Sequence, residues 1–219
     1  MGVCYDGMLS EEYKTAPVKI VWVLKEALYE GYLGEQLDNA INKKQANPTW
    51  RTMAHPTYAV MKGWKNGDFI EWECVPGIKQ DVLKALRQIA VVNAKKEACT
   101  AKDGLSDNGE IISEYLANRD AIKKQIDELD ADIIVFGYPQ VMECIVKDVF
   151  NKMTDGKDYR IDKHFGDFAS AIAEVKGKRR LFLWGYHPGY YRSEEKGEYS
   201  QYNYFTAFVD AVREFRGMK

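Results

Sequence analysis

The sequence predicts an α/β fold, and three features carry that expectation. Short apolar runs rich in β-branched and aromatic residues recur at Lys19-Ile20-Val21-Trp22-Val23-Leu24, Ile89-Ala90-Val91-Val92-Asn93, Asp132-Ile133-Ile134-Val135-Phe136-Gly137 and Arg180-Leu181-Phe182-Leu183-Trp184. Runs that are continuous rather than alternating suit strands buried on both faces, as in parallel sheets. Helical periodicity separates the runs, which implies parallel connections with helices over the sheet. Each run also ends in polar or backbone-exposing residues, the edge where ligands bind in such sheets. The expected architecture is a three-layer sandwich with a central four-stranded parallel sheet, one domain over 1–219.

In chain order, the first seventeen residues are polar, end at Pro17 and read as a poorly specified lead-in. The first strand follows and closes on the charged pair Lys25-Glu26. A polar helix is expected over 34–45, with Pro48 as a break after it. Trp50, Met53, Tyr58, Val60, Met61 and Trp64 then mark an aromatic-rich segment whose type the pattern leaves open. Ile78, Val82, Leu83 and Leu86 share one face of a helix, and the second strand ends in Asn93. The clearest helix runs over 111–129, with Ile111, Tyr115, Ile122 and Ile126 returning at turn spacing. The third strand hands over at Gly137 to Tyr138-Pro139 and a helix over 140–150. A short helix is expected around 168–175 before the fourth strand, and Phe205, Phe208, Val209, Val212 and Phe215 make an amphipathic closing helix.

Composition narrows the function classes. The chain has 219 residues and a net charge of −2, which argues against a general polyanion binder but leaves room for a local basic patch. Cys4, Cys74, Cys99 and Cys144 are scattered with no Cys-x-x-Cys pair, and three histidines lack ligand spacing, so neither a metal site nor a disulfide framework is expected. Gly-x-Gly-x-x-Gly, P-loop and Gly-x-Ser-x-Gly patterns are absent. No cofactor is expected. With no leader-like or membrane-length apolar run, the expectation is a soluble cytoplasmic monomer.

Candidate chemistry gathers at the strand ends. His187-Pro188-Gly189 follows the fourth strand, where an imidazole can stabilise negative charge or move a proton. A turn histidine satisfied by backbone is the competing reading. Asn93 carries a donor and an acceptor, enough to read a pyrimidine edge, and equally enough to tie down a turn. Glu26 can hold a water and Lys25 a phosphate, or the pair simply ends a strand in solvent. Tyr190, Tyr191 and Arg192 suit stacking or wedging beside a phosphate, or the two rings simply pack at the base of a loop. His55-Pro56 repeats the dipeptide with no strand before it and is read as structural.

Val91-Val92-Asn93-Ala94-Lys95-Lys96, the strand into Gly137 and the strand into His187-Pro188 together resemble the uracil-DNA glycosylase superfamily, in order and spacing over roughly 18–192. The resemblance implies that Asn93 binds the edge of a flipped-out uracil and that His187 stabilises the base oxygen as the glycosidic bond breaks. It also implies that Tyr191 is the wedge, with Arg192 and Lys95 as DNA contacts. The family's Gly-rich, Pro-containing turn after the first strand is replaced here by Leu24-Lys25-Glu26-Ala27-Leu28, which leaves Glu26 as the candidate to position water and Lys25 as a substrate contact. Trp50 and Tyr58 are candidates for the aromatic that stacks on the base. The implied partner is DNA containing uracil or a damaged base, cut without a metal or an iron–sulfur cluster. A non-catalytic nucleic-acid- or nucleotide-binding protein of the same fold is the alternative, and an unrelated α/β protein with a chance His-Pro turn is the third.

Overall fold

The computed structural model describes residues 2–77, 80–99, 106–137, 139–156, 160–191 and 199–217. It is a mixed α/β fold with a seven-stranded mixed sheet and a separate two-stranded parallel one. The strands are β1 (Cys4–Tyr5), β2 (Gly7–Met8), β3 (Ile20–Leu24), β4 (Gly31–Tyr32), β5 (Ile89–Asn93), β6 (Ile133–Gly137), β7 (Lys163–Phe165), β8 (Phe168–Val175) and β9 (Lys178–Gly185). The helices are α1 (Leu33–Lys43), α2 (Pro48–Gly63), α3 (Gln80–Lys84), α4 (Asn108–Glu128), α5 (Pro139–Met153) and α6 (Gln201–Phe215).

The four strands expected from the sequence are β3, β5, β6 and β9. They pair in parallel in the order β5-β3-β6-β9. Every residue of β3, β5 and β6 is buried, as continuous apolar runs require. Alternate residues feed two separate hydrophobic clusters. Trp22, Val91, Val135 and Leu183 join α1, α2, α3 and α6 in one. Val23, Val92, Phe136 and Phe182 join α4 and α5 in the other.

Three expectations are corrected. The sheet is not four-stranded and parallel: β2 adds antiparallel to β5 at one edge, and β8 and β7 add antiparallel beyond β9 at the other. The segment 168–175, read as a short helix, is β8. Its Ala-rich Phe-Ala-Ser-Ala-Ile-Ala-Glu-Val sequence hides a strand, but Lys176 and Gly177 both have positive φ (51° and 74°) and close a two-residue hairpin into β9. Residues 2–17 are not a featureless lead-in. They hold β1, β2 and a 3₁₀ turn over Glu11–Thr15, with Cys4 and Tyr13 buried. The open segment around Trp50–Trp64 is α2, and Ile78 of the expected helix face lies outside the described residues.

Candidate active site

A cavity of about 340 Å³ lies at the C-terminal ends of β3, β5 and β9. Six side chains singled out from the sequence line it: Lys25, Glu26, Trp50, Asn93, His187 and Tyr190. The register of the sheet explains the convergence. Leu24 pairs with Asn93 across β3 and β5, and the pairing runs past both strand ends, with Ala94 N–H donating to Leu24 O at 2.8 Å and Lys95 N–H to Lys25 O at 2.9 Å. Glu26 and Asn93 are thereby held at neighbouring tips. On the other side of β3, Gly137 pairs with Gly185. A methyl group at Gly137 would come within 2.9 Å of Leu24 Cδ2 and 3.1 Å of Pro188 Cδ, so glycine lets the His187-Pro188 turn settle onto the end of β6.

His187 caps a 3₁₀ turn over Pro188–Tyr190, and its Nδ1 accepts from Gly189 N–H at 3.0 Å. Burial, with help from the Lys25 charge, pushes its pKa down to about 4. The ring is therefore neutral near pH 7. Because Nδ1 is an acceptor, the single ring proton sits on Nε2. Glu26 is 8 % exposed. Its Oε1 accepts from Ser106 N–H at 3.1 Å, while Oε2 is buried with no hydrogen-bond partner among the described residues. A buried carboxylate oxygen without a donor is costly unless a water or ligand supplies one. Lys25 Nζ donates to Ser106 O at 3.1 Å, so its charge sits beside the cavity on a fixed stem.

Asn93 is 1 % exposed. Its N–H donates to Asp6 Oδ2 at 2.6 Å and its Nδ2 approaches Cys4 Sγ at 3.9 Å. Trp50 lines the cavity from the first turn of α2, where Asn47 Oδ1 accepts from Trp50 N–H at 2.8 Å as a helix N-cap. Asn47, Pro48 and Thr49 also face the cavity, and Pro48, expected as a break after the helix over 34–45, opens α2. An Asn N-cap followed by Pro at the first helical position is a start signal, which the sequence carried.

Other expected site residues stand elsewhere. Tyr58 is about two turns further along α2 and packs beside Lys62, away from the cavity lining. Tyr191 is fully buried and cannot wedge into DNA. Its OH donates to Asp167 Oδ2 at 3.0 Å, its carbonyl accepts from Thr52 Oγ1 at 3.0 Å, and its ring meets Tyr204. Its neighbour Tyr190 is exposed instead, 52 % accessible at the cavity rim. Lys95 is not a surface cation. Its side chain is 3 % exposed and paired with Glu110 and with Ser106 Oγ. Burial works to lower its pKa, but the Glu110 contact outweighs it and the value is raised. Arg192 lies outside the described residues.

Among the described residues no group of three or more His, Cys, Asp or Glu side chains is arranged to hold a metal ion, and no helix is long and apolar enough to cross a membrane. No family model matches the chain, and no curated protein matches it.

Proposed function

We propose that the protein is a DNA base glycosylase that removes uracil by hydrolysis of its N-glycosidic bond, the first step of base-excision repair. The observation that carries this reading is the meeting of Glu26, Asn93 and His187 on the wall of one cavity. Its volume, about 340 Å³, is at the small end of ligand pockets and suits a single base rather than a large cofactor.

Each residue has a distinct task. Asn93 offers its amide to the edge of the base, and Trp50 supplies an aromatic wall for the base plane. As the bond from C1′ to the base nitrogen breaks, its electron pair leaves with the base. The Nε2–H of neutral His187 donates to the base oxygen on which that charge collects, and the adjacent Lys25 charge favours the same anion. The Oε2 of Glu26, which has no partner among the described residues, holds the water that attacks the oxocarbenium-like sugar and takes its proton. Nothing in these steps calls for a metal. Tyr190 replaces Tyr191 as the ring that meets DNA beside the extruded nucleotide.

The same reading carries the finer architecture, a three-layer sandwich of the glycosylase type, and a cytoplasmic monomer acting on DNA with uracil or a damaged base. Incubation with single- and double-stranded oligonucleotides containing uracil tests it. The expected result is alkali-labile sites that disappear in His187→Ala and Asn93→Ala. No cleavage in either strand context, with uracil bound in the cavity, would move the protein to the non-catalytic binding class.

A further inference from the structure

The chain before β3 does more than cover an edge. Gly7 and Met8 pair with Val91 and Ala90, and continuing that antiparallel register would set Tyr5 opposite Asn93. Instead the arm leaves the sheet at Asp6, and Tyr5 pairs with Tyr32 in the small sheet. The departure would orphan the Asn93 N–H. The Asp6 carboxylate takes it, with Oδ2 accepting at 2.6 Å. A charged acceptor there makes a stronger bond than a strand carbonyl would.

Asp6 is itself locked in place. Its side chain is 3 % exposed. Lys96 Nζ donates to both of its oxygens at 2.7 and 2.9 Å, and Gln125 Nε2 donates to Oδ1 at 2.9 Å. Gln125 Oε1 accepts from Lys96 at 2.8 Å and closes the network. The arm is pinned again by Cys4 N–H to Lys96 O at 2.9 Å and by Ala98 N–H to Gly2 O at 3.0 Å. Cys4 Sγ then lies 3.9 Å from Asn93 Nδ2, which turns the other end of the amide, Oδ1, away from the arm. Burial pushes the Cys4 thiol up to about 11, so no thiolate competes for Lys96.

We propose that Asp6 is the positioning residue of the base-reading amide: it fixes the Asn93 backbone at the strand end so that the side-chain oxygen faces the cavity and selects bases with an N–H on that edge, uracil over cytosine. The proposal rests on the reading of Asn93 as a ligand contact. Uracil presents N3–H there, whereas cytosine presents a bare N3 lone pair, which an amide oxygen repels.

Free uracil and free cytosine, titrated into the full chain and followed by NMR, test this. Wild type is expected to prefer uracil at least about tenfold, the scale of one hydrogen bond gained against one acceptor pair clashing. Asp6→Ala is expected to shrink that preference severalfold, and Asp6→Asn, which keeps an acceptor for the Asn93 N–H, to retain most of it. A purely structural role would lower the folded fraction and leave the ratio of the two affinities unchanged. Should Asp6→Ala fail to fold, Cys4→Ala, which leaves the Asp6–Lys96 pair intact, is expected to narrow the ratio in the same direction. An unchanged ratio in each folded variant overturns the positioning role and leaves the glycosylase reading standing. Wild type that binds neither base overturns the reading of the cavity, and the role of Asp6 falls with it.

Discussion

His55-Pro56 and His187-Pro188 set the same dipeptide in two surroundings. His55 is buried and His187 half-buried, and in both burial drives the pKa down to about 4. The similarity ends there. His55 sits in the middle of α2, 4 % exposed, with Nδ1 lacking a partner among the described residues and its ring edge-on to Trp72 at 4.9 Å. It fills space in the aromatic cluster between α2 and α6. His187 lies beyond the end of β9, with Nδ1 occupied by Gly189 N–H and its remaining proton free to serve the cavity. A depressed histidine pKa therefore does not mark a functional residue by itself. What sets His187 apart is the assigned tautomer and the cavity in front of it, because they define which proton is offered and to what.

Replacing each ring by alanine separates the two most sharply. His187→Ala is expected to cut the rate of uracil release by about 10²–10⁴-fold, the range for a positioned proton donor, with little change in Tm. His55→Ala is expected to leave the rate per folded molecule intact and to lose about 2–3 kcal/mol of stability by opening a cavity against Trp72. Urea melts beside single-turnover rates give both readouts. A large rate loss in His55→Ala at full stability would erase the contrast. Glu26→Gln comes next: it keeps the bond from Ser106 but removes the base for water, so a loss of about 10²-fold is expected, with substrate affinity retained. If affinity falls and the single-turnover rate does not, Glu26 holds the substrate rather than the water.

Much of this was legible in the sequence, and the gaps have physical reasons. Apolar runs 20–24, 89–93, 133–137 and 181–184 announced buried strands because each is flanked by helices and covered on both faces. Their polar ends pointed to a rim, which is why Glu26, Asn93 and His187, which line one cavity, could be singled out from residue type and strand position. Side-chain direction in loops was not legible. Tyr190 and Tyr191 are equivalent as letters, and only the 3₁₀ turn at Pro188 decides that the first points outward and the second into the core. Lys95 read as a free cation because its partners, Ser106 and Glu110, are remote in sequence. Asp6 was invisible for the same reason: a polar residue in a polar arm gives no sign that it accepts from Asn93 across the sheet edge.

The pH response sharpens the comparison further, since the two rings share a pKa but not a role. The unfolded chain binds a proton at each near pH 6.5, whereas the folded chain waits until about 4. Between those values the unfolded state holds more protons, so the stability these rings allow is fully present above about pH 6.5 and falls as pH drops toward 4. Removing His55 by His55→Phe is expected to flatten that fall in the urea midpoint. The rate, which on the proposed mechanism involves the protonation state of His187 and not that of His55, is expected to show no inflection near 6.5 in kcat/KM in wild type or in His55→Phe. An inflection at 6.5 would mean that His187 titrates as a solvated ring, and its assigned Nε2 proton would lose its basis.

The smallest expected effect lies in the stability of that same His55→Phe variant at pH 7.5. Phenylalanine keeps a planar ring for the edge-on contact with Trp72 and discards the buried Nδ1 that has no partner among the described residues. Removing an unsatisfied buried acceptor gains roughly 1 kcal/mol, while the larger ring must fit between Trp72 and the rest of α2, which returns part of that gain. The net expectation is neutral to about 1 kcal/mol more stable, read as an unchanged or raised urea midpoint. A loss above about 2 kcal/mol would show that the imidazole nitrogens of His55 are doing polar work in the core, and the line drawn between the two dipeptides would have to be moved.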